Sequence, residues 1–189
     1  MKWTFIGIGI AVSLFAIGIY DAYDNARILN ENRCWGCLAL DPIGKIYDGF
    51  WIEYPKDYGK GKEVPHPEWV KEELDNGSVV MLFFWYEGCY SCEVLWEKMK
   101  KEGIVEGDEA HGKIVGFENV TLFTIDTIKD ERRDALSIYS KRNGSPTTVI
   151  LFKEDDTIYW YAFEGSEIPK DKNGKEITVK KILEDAIMK

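Results

Sequence analysis

The four cysteines are the residues whose types and spacing could carry chemistry. The sequence of 189 residues arranges them as two pairs, Cys34/Cys37 and Cys89/Cys92, with two residues between the members of each pair. Structural cysteines that are scattered along a chain rarely fall in this pattern, which is typical of redox-active pairs and of metal ligands. Covalent haem attachment is excluded because neither pair is followed by histidine.

The residues around the second pair favour redox chemistry. The apolar run from Val79 to Tyr86 predicts a strand that is covered on both faces, and Cys89 follows it closely. A helical repeat then places four residues on one inward face: Cys92, Leu95, Trp96 and Met99. The unpaired N–H groups at a helix N-terminus stabilise a thiolate. Cys89 is therefore the predicted exposed, attacking thiol, and the sheltered Cys92 is the predicted resolving thiol.

Two other interpretations of Cys89 and Cys92 stay open. The first is a pair that packs in the core without reacting. The second is a zinc site made of both pairs, because four thiolates suit zinc. The stretch from Cys37 to Cys89 is, however, much longer than the ~15–20 residues that separate the pairs of common zinc modules. We therefore expect neither a metal nor an organic cofactor.

The first pair, Cys34 and Cys37, lies in a juxtamembrane segment, residues 23–60, that leads into the main domain and is polar and irregular as far as about residue 42. One interpretation is a local disulfide that staples this segment. The other is a secondary redox pair that exchanges disulfides with Cys89 and Cys92 or with a membrane protein. A tethered pair would have a high effective concentration at a neighbouring domain.

The N-terminus carries a candidate membrane anchor, residues 1–22. No charged residue occurs from Trp3 to Tyr20, and eighteen helical residues rise about 27 Å, close to the hydrocarbon thickness of a bilayer. Lys2 precedes the run and Asp21 follows it, which predicts a single span with the domain outside the cytoplasm. A cleaved signal peptide is the alternative. Both interpretations export the domain to a compartment where disulfides persist.

The composition limits the classes of protein to which the chain can belong. Hydrophobic residues make up 45% of the chain and charged residues 30%, which predicts a packed core. The net charge of −9 argues against nucleic acid as a partner, since phosphates are bound by basic surfaces. Glutamine is absent while Glu and Lys are abundant, a bias typical of thermophile proteins.

The remaining pattern predicts a mixed α/β domain over residues 61–189. Further strands are expected at Val120–Asp126, Thr147–Phe152 and Thr157–Phe163, the last two forming a hairpin, and one more strand is expected before the domain, at 43–54. Helices are expected after Pro67 with Gly77 at the end, over about 130–142 with Asp130 as cap and Gly144 beyond the end, and from Thr178 to Met188. This order implies a mixed sheet with helices on both faces.

Four sequence features together resemble the thioredoxin superfamily over roughly residues 61–189. They are Phe84-Trp85 at the end of the apolar strand, the Cys89-Tyr-Ser-Cys92 motif, Asp126 at the end of a later strand, and Gly144-Ser145-Pro146-Thr147 before another. The resemblance implies a thioredoxin-like fold that follows the N-terminal transmembrane helix. It also implies a cis Pro146 beside the sulfurs, with the Ser145 backbone turned outward to pair with an extended substrate peptide.

The function implied by this resemblance is thiol–disulfide exchange on extracytoplasmic proteins, carried out by a protein disulfide oxidoreductase. Protein thiols and disulfides would be its substrates, and a membrane thiol-transfer protein is a candidate redox partner. A different class of function stays open, a non-catalytic module that keeps the fold for peptide capture at Pro146, like a chaperone. The zinc-binding protein described above is the third class.

The sequence also departs from the family pattern. The positions of the family's buried aspartate and its lysine partner are occupied by Phe83 and Leu122, which leaves the proton acceptor for the resolving cysteine unassigned. Glu87 is the nearest carboxylate in sequence, and a solvated surface residue is the favoured interpretation of it. Residues 103–118 resemble an insertion, in which His111 is expected to be a surface residue rather than a ligand.

Overall fold

The computed structural model describes residues 45–189 of the chain. The predicted anchor at residues 3–20 and the Cys34/Cys37 pair lie outside the described residues, so both remain predictions. Within residues 45–189, no helix combines the length and the apolar character needed to cross a membrane.

The described part of the chain is mixed α/β. Its strands are β1 (Val79–Trp85), β2 (Val105–Glu106), β3 (Lys113–Ile114), β4 (Val120–Asp126), β5 (Thr147–Glu154) and β6 (Thr157–Glu164). Its α-helices are α1 (Glu68–Asp75), α2 (Tyr90–Lys101), α3 (Leu136–Tyr139) and α4 (Val179–Ile187). Two short 3-10 helices span Lys56–Tyr58 and Glu131–Ala135.

The central sheet has four strands in the order β4-β1-β5-β6. Strand β1 runs parallel to β4, with Trp85 opposite Asp126, and antiparallel to β5, with Phe84 opposite Thr147. Strands β5 and β6 form the predicted hairpin, in register from Thr147 opposite Glu164 to the turn. The carboxyl end of β1 therefore lies between the carboxyl end of β4 and the amino end of β5.

Alternate side chains of β1 enter two separate hydrophobic clusters, one on each face of the sheet. Met81 and Phe83 join the cluster covered by α2 and α4. Leu82 and Phe84 join the cluster covered by α1 and by residues 131–139. Helices on both faces are thus confirmed, and they explain why β1 is apolar without alternation, since both of its faces are buried.

Local sequence signals set the ends of the longer helices. Pro67 precedes the first residue of α1, and the left-handed Gly77 follows its end, with the Gly77 N–H bonded to the Leu74 carbonyl. At the start of α4 the Thr178 hydroxyl accepts a hydrogen bond from the Lys181 N–H at 3.1 Å. Both predicted helices are confirmed to within one residue.

The strand predicted at 43–54 is wrong in its described part. Only two isolated bridges form there, Ile46 with Lys170 and Trp51 with Trp160. Between them Gly49 has φ +100°, which interrupts the extended backbone. Trp51 exchanges two backbone hydrogen bonds with Trp160 of β6, at 2.7 and 2.8 Å. The aromatic residues of this segment pack on the sheet, and that packing produced the misleading strand-like pattern.

The helix predicted over about 130–142 is shorter and less regular than expected. Asp130 is its cap, as predicted, but the chain forms a 3-10 helix and then only the four residues of α3. It ends because Ser140 adopts an extended conformation. Gly144 is not a left-handed helix cap. Its N–H instead donates to the Ser140 hydroxyl oxygen at 3.3 Å.

A set of buried aromatic residues fixes the segment that precedes α1. The hydroxyl of Tyr58 donates to the Tyr139 carbonyl at 3.0 Å, and the Tyr139 hydroxyl oxygen lies 2.9 Å from Nδ1 of His66. Burial of the imidazole and, to a smaller extent, the nearby charge of Lys71 lower the pKa of His66 to about 4. His66 is therefore neutral in the folded protein at neutral pH.

The depressed pKa of His66 predicts an acid-dependent loss of stability. Below pH 6.5, the ordinary pKa of the group, the unfolded chain takes up a proton that the buried ring does not accept until about pH 4. The free energy of unfolding should therefore fall as the pH drops from 6.5 toward 4, by at most ~1.4 kcal/mol per unit for one proton. Urea denaturation at several pH values measures this slope.

The control for this measurement is the other histidine, the exposed His111. We expect His66→Asn to flatten the slope between pH 6.5 and 4 and His111→Asn to leave it unchanged. An equal slope in the wild-type protein and in His66→Asn would contradict the assignment.

Candidate functional site

Cys89 and Cys92 form a disulfide at the junction of β1 and α2. The strand ends at Trp85, and Gly88 at φ +81° turns the chain into the helix, a backbone conformation that favours glycine. Cys89 is the N-cap of α2, and its Cα lies 5.2 Å from that of Cys92 in the first turn. The strand–Cys–helix junction predicted from the sequence is therefore present.

The two sulfurs differ less in exposure than the sequence suggests. Cys89 is 4% exposed and Cys92 is 1% exposed, so the sheltered position predicted for Cys92 is confirmed, whereas the exposed position predicted for Cys89 is wrong in this disulfide form, since Cys89 is buried as well. Cys89, unlike Cys92, lines a surface depression. Access to the pair is thus through Cys89.

The helix N-terminus directs backbone donors at Cys89. The N–H of Cys92 points at Cys89 Sγ at 3.2 Å, and the N–H groups of Cys92 and Glu93 also approach the Cys89 carbonyl oxygen, at 3.0 and 3.1 Å. These donors carry the positive end of the helix dipole. They stabilise negative charge on Cys89 Sγ once the disulfide is reduced.

Ser145 and Pro146, the other residues predicted for the site, lie beside the disulfide. The Ser145–Pro146 peptide bond is cis, as expected. The Ser145 carbonyl oxygen lies 3.8 Å from Cys89 Sγ, although the two residues are 56 positions apart in the sequence. The pairing of β1 with β5 accounts for this proximity because it places Thr147, the residue after Pro146, opposite Phe84.

The depression beside Cys89 has a volume of about 510 Å³ and an acidic lining. Its charged residues are five carboxylates and one ammonium group: Glu87, Glu93, Asp108, Glu109, Asp126 and Lys129. The hydrogen bond and charge of Lys129, whose Nζ lies 2.8 Å from Glu87, lower the pKa of Glu87. The side chain of Glu87 is mostly exposed, so its interpretation as a solvated surface residue is confirmed.

Phe83 belongs to the same buried cluster as the disulfide. It is fully buried, and its ring centroid lies 5.1 Å from that of Trp96. An apolar residue at this position is consistent with the apolar surroundings, because a lone buried charge would be costly. The proton acceptor for Cys92 therefore stays unassigned.

Residues 103–118 cover the outer side of α2. They form a small hairpin of β2 and β3, which the sequence did not predict, and the Trp96 indole N–H donates to the Gly107 carbonyl at 3.1 Å. The hairpin loop supplies Asp108 and Glu109 to the depression. His111 is exposed, with Nδ1 3.0 Å from an Asp108 carboxylate oxygen, so its interpretation as a surface residue is confirmed.

The lining was not recognised in the sequence because its members come from three separate segments of the chain, 85–93, 108–110 and 126–129. The buried indole N–H of Trp85, another lining residue, has no hydrogen-bond partner among the residues that the structure describes. The sequence does not indicate this, because a tryptophan at the end of an apolar strand is usually an ordinary core residue. Asp108 and Glu109 belong to no recognisable motif either, because most charged loops are exposed to solvent and take no part in a functional site.

The close approach of the hairpin to α2 predicts a steric requirement at Gly112. A Cβ atom there would lie 2.2 Å from the Trp96 ring and 2.9 Å from the Asp108 carbonyl oxygen. Gly112→Ala should lower the free energy of unfolding by about 1–3 kcal/mol through overpacking. Gly144→Ala is the matched control, because nothing lies within 4 Å of its Cβ position. Urea denaturation compares the two, and equal stabilities would contradict the prediction.

The comparisons with known proteins leave the function to be argued from this geometry. No protein-family model, curated protein or solved structure matches the chain.

The difference between the two sulfurs predicts an order of alkylation in the reduced protein. Iodoacetamide at neutral pH should modify Cys89 before Cys92, because Cys89 lines the depression and receives the helix N–H groups. Fragment-ion mass spectrometry locates the label, in a Cys34→Ala/Cys37→Ala background that removes the other thiols. Faster modification of Cys92 would reverse the roles.

Proposed function

We propose that this chain is a protein disulfide oxidoreductase with a thioredoxin-like fold that exchanges thiols and disulfides through Cys89 and Cys92. One observation carries the proposal. The disulfide sits at the N-terminus of a helix, with a backbone N–H aimed at Cys89 Sγ and the Ser145–Pro146 backbone alongside it. The domain would act outside the cytoplasm, on the basis of the apolar N-terminal run.

Reduction of a substrate proceeds in two exchange steps. The Cys89 thiolate attacks one sulfur of the substrate disulfide, which forms a mixed disulfide and releases the other substrate sulfur as a thiolate that takes up a proton. Cys92, as the thiolate, then attacks Cys89 Sγ, which forms the Cys89–Cys92 disulfide and releases the second substrate thiolate. Two electrons pass from the cysteine pair to the substrate. The same steps in reverse oxidise a substrate dithiol.

The backbone of Ser145 supports a polypeptide substrate. Its N–H has no hydrogen-bond partner among residues 45–189, and its carbonyl oxygen lies 3.8 Å from Cys89 Sγ. An extended segment that pairs with such a backbone gains main-chain hydrogen bonds whatever its sequence. A substrate cysteine in that segment would then stand next to the attacking sulfur.

Two substitutions in the cysteine pair test the proposal. The wild-type protein should accelerate the reduction of insulin disulfides by dithiothreitol, and Cys89→Ser should abolish this acceleration and leave only the uncatalysed rate. Cys92→Ala should leave Cys89 able to attack a substrate disulfide but should remove the thiol that resolves the mixed disulfide, so mixed disulfides with substrates should accumulate. Non-reducing electrophoresis detects these complexes, and a reductant should remove them.

The control is Cys34→Ala/Cys37→Ala, in which the trapped complexes should persist if they form through Cys89. A trapped set that loses a member in this background would instead support the relay predicted for the first pair. Wild-type protein without reductase activity, together with an empty trap, would refute catalysis and favour the peptide-binding alternative.

A further inference from the structure

The loop that carries Ser145 and Pro146 into the site is organised around one buried hydroxyl, that of Ser140. The Ser140 side chain is fully buried at the start of the loop, residues 140–146. Its oxygen accepts hydrogen bonds from the backbone N–H groups of Arg142, at 3.2 Å, and Gly144, at 3.3 Å. The loop is thus folded around Ser140, and the position of Ser145 follows from that fold.

A buried carboxylate, that of Glu164, holds Ser140 in turn. Glu164 is the last residue of β6 and is only 7% exposed. One of its oxygens, Oε1, accepts two hydrogen bonds, one from the Ser140 hydroxyl at 2.9 Å and one from the Lys141 N–H at 2.6 Å. From the other side, Nζ of Lys60 donates to the Ser140 carbonyl oxygen at 2.6 Å.

The strand that carries Glu164 also fixes the far end of the loop. Glu164 pairs with Thr147, and the N–H of the next residue, Gly165, donates to the Pro146 carbonyl at 2.8 Å. The end of β6 therefore holds the loop at both ends. Burying a carboxylate is costly unless its hydrogen bonds are good, and a neutral side chain would avoid that cost.

We propose that Glu164 is a positioning residue for disulfide exchange, which through Ser140 holds the loop so that the Ser145 backbone stays available to an extended substrate beside Cys89. The inference rests on the proposed function. Glu164 does not itself reach the disulfide, and no step of the exchange uses its charge. Its effect falls on polypeptide substrates, because only they pair with the Ser145 backbone.

The test compares two disulfides in the full-length protein, in the Cys34→Ala/Cys37→Ala background. One is a short peptide closed by its own disulfide, turned over with dithiothreitol as the reductant that regenerates the Cys89/Cys92 dithiol. The other is dithiobis(nitrobenzoic acid), which has no backbone to pair and is followed in a single turnover of the reduced protein without dithiothreitol. Glu164→Gln keeps the size of the side chain but removes the charge from the two hydrogen bonds. We expect KM for the peptide to rise about tenfold, with kcat unchanged, since hydrogen bonds to charged groups are the stronger ones. The rate with dithiobis(nitrobenzoic acid) should not change.

Two further variants sharpen the comparison. Ser140→Ala removes the intermediate hydroxyl and should raise KM for the peptide in the same way, and the double variant should be no worse than either single one, because all act through one network. Glu154→Gln is the matched control, since this exposed glutamate ends β5 at the opposite end of the hairpin. It should alter neither reaction.

The outcomes separate this inference from the proposed function. Wild-type protein that reacts with neither disulfide refutes the proposed function. Active wild-type protein whose Glu164→Gln and Ser140→Ala variants react normally with the peptide, or lose both reactions equally, refutes the positioning role. If the variants fail to fold, amide hydrogen exchange of the wild-type protein tests the inference without them. Gly144 should then exchange slowly and Ser145 fast, and fast exchange at both would overturn the inference.

Discussion

The pairing of β1 with strands of opposite direction on its two sides is the constraint on which the site depends. Parallel pairing brings the end of β4 to the end of β1, and antiparallel pairing brings the start of β5 to the same edge. Residues far apart in sequence, such as Cys89 and Ser145, are thereby held within contact distance. The pairing is secured by burial of both faces of β1, since each buried large apolar side chain contributes roughly 1.5–3 kcal/mol.

The features that could be predicted from the sequence are those that depend on residues close together along the chain. The unbroken apolar run of β1, the helical repeat after Cys89 and the caps at Asp130 and Thr178 each depend on residues fewer than about ten apart. The same holds for the β5–β6 hairpin, whose strands are joined by a tight turn. Cys89 and Cys92 were identified for this reason, because they belong to a recognisable local pattern, whereas Pro146 was identified only through the resemblance that this pattern brought to light.

The features that could not be predicted are determined by contacts between distant segments. The helix predicted at 130–142 stops early, at the extended Ser140, whose hydroxyl donates to a carboxylate 24 residues further along, and no local sequence pattern indicates that bond. The strand predicted at 43–54 fails because its aromatic residues pack on the sheet rather than extend along it. The acidic lining escaped prediction because it is assembled from turns that only the sheet brings together.

The two backbone hydrogen bonds between Trp51 and Trp160 affect the tendency of the protein to aggregate at high concentration. Strand β6 is the last strand on its side of the sheet, and an outer strand of eight residues offers a template on which another chain can form a fibre-like ladder. Trp51 occupies the middle of that template, and its ring packs at 5.0 Å, nearly perpendicular to the ring of Trp160. A foreign strand would have to displace Trp51 to pair along β6 in register, so a single residue hinders growth of the sheet at this edge.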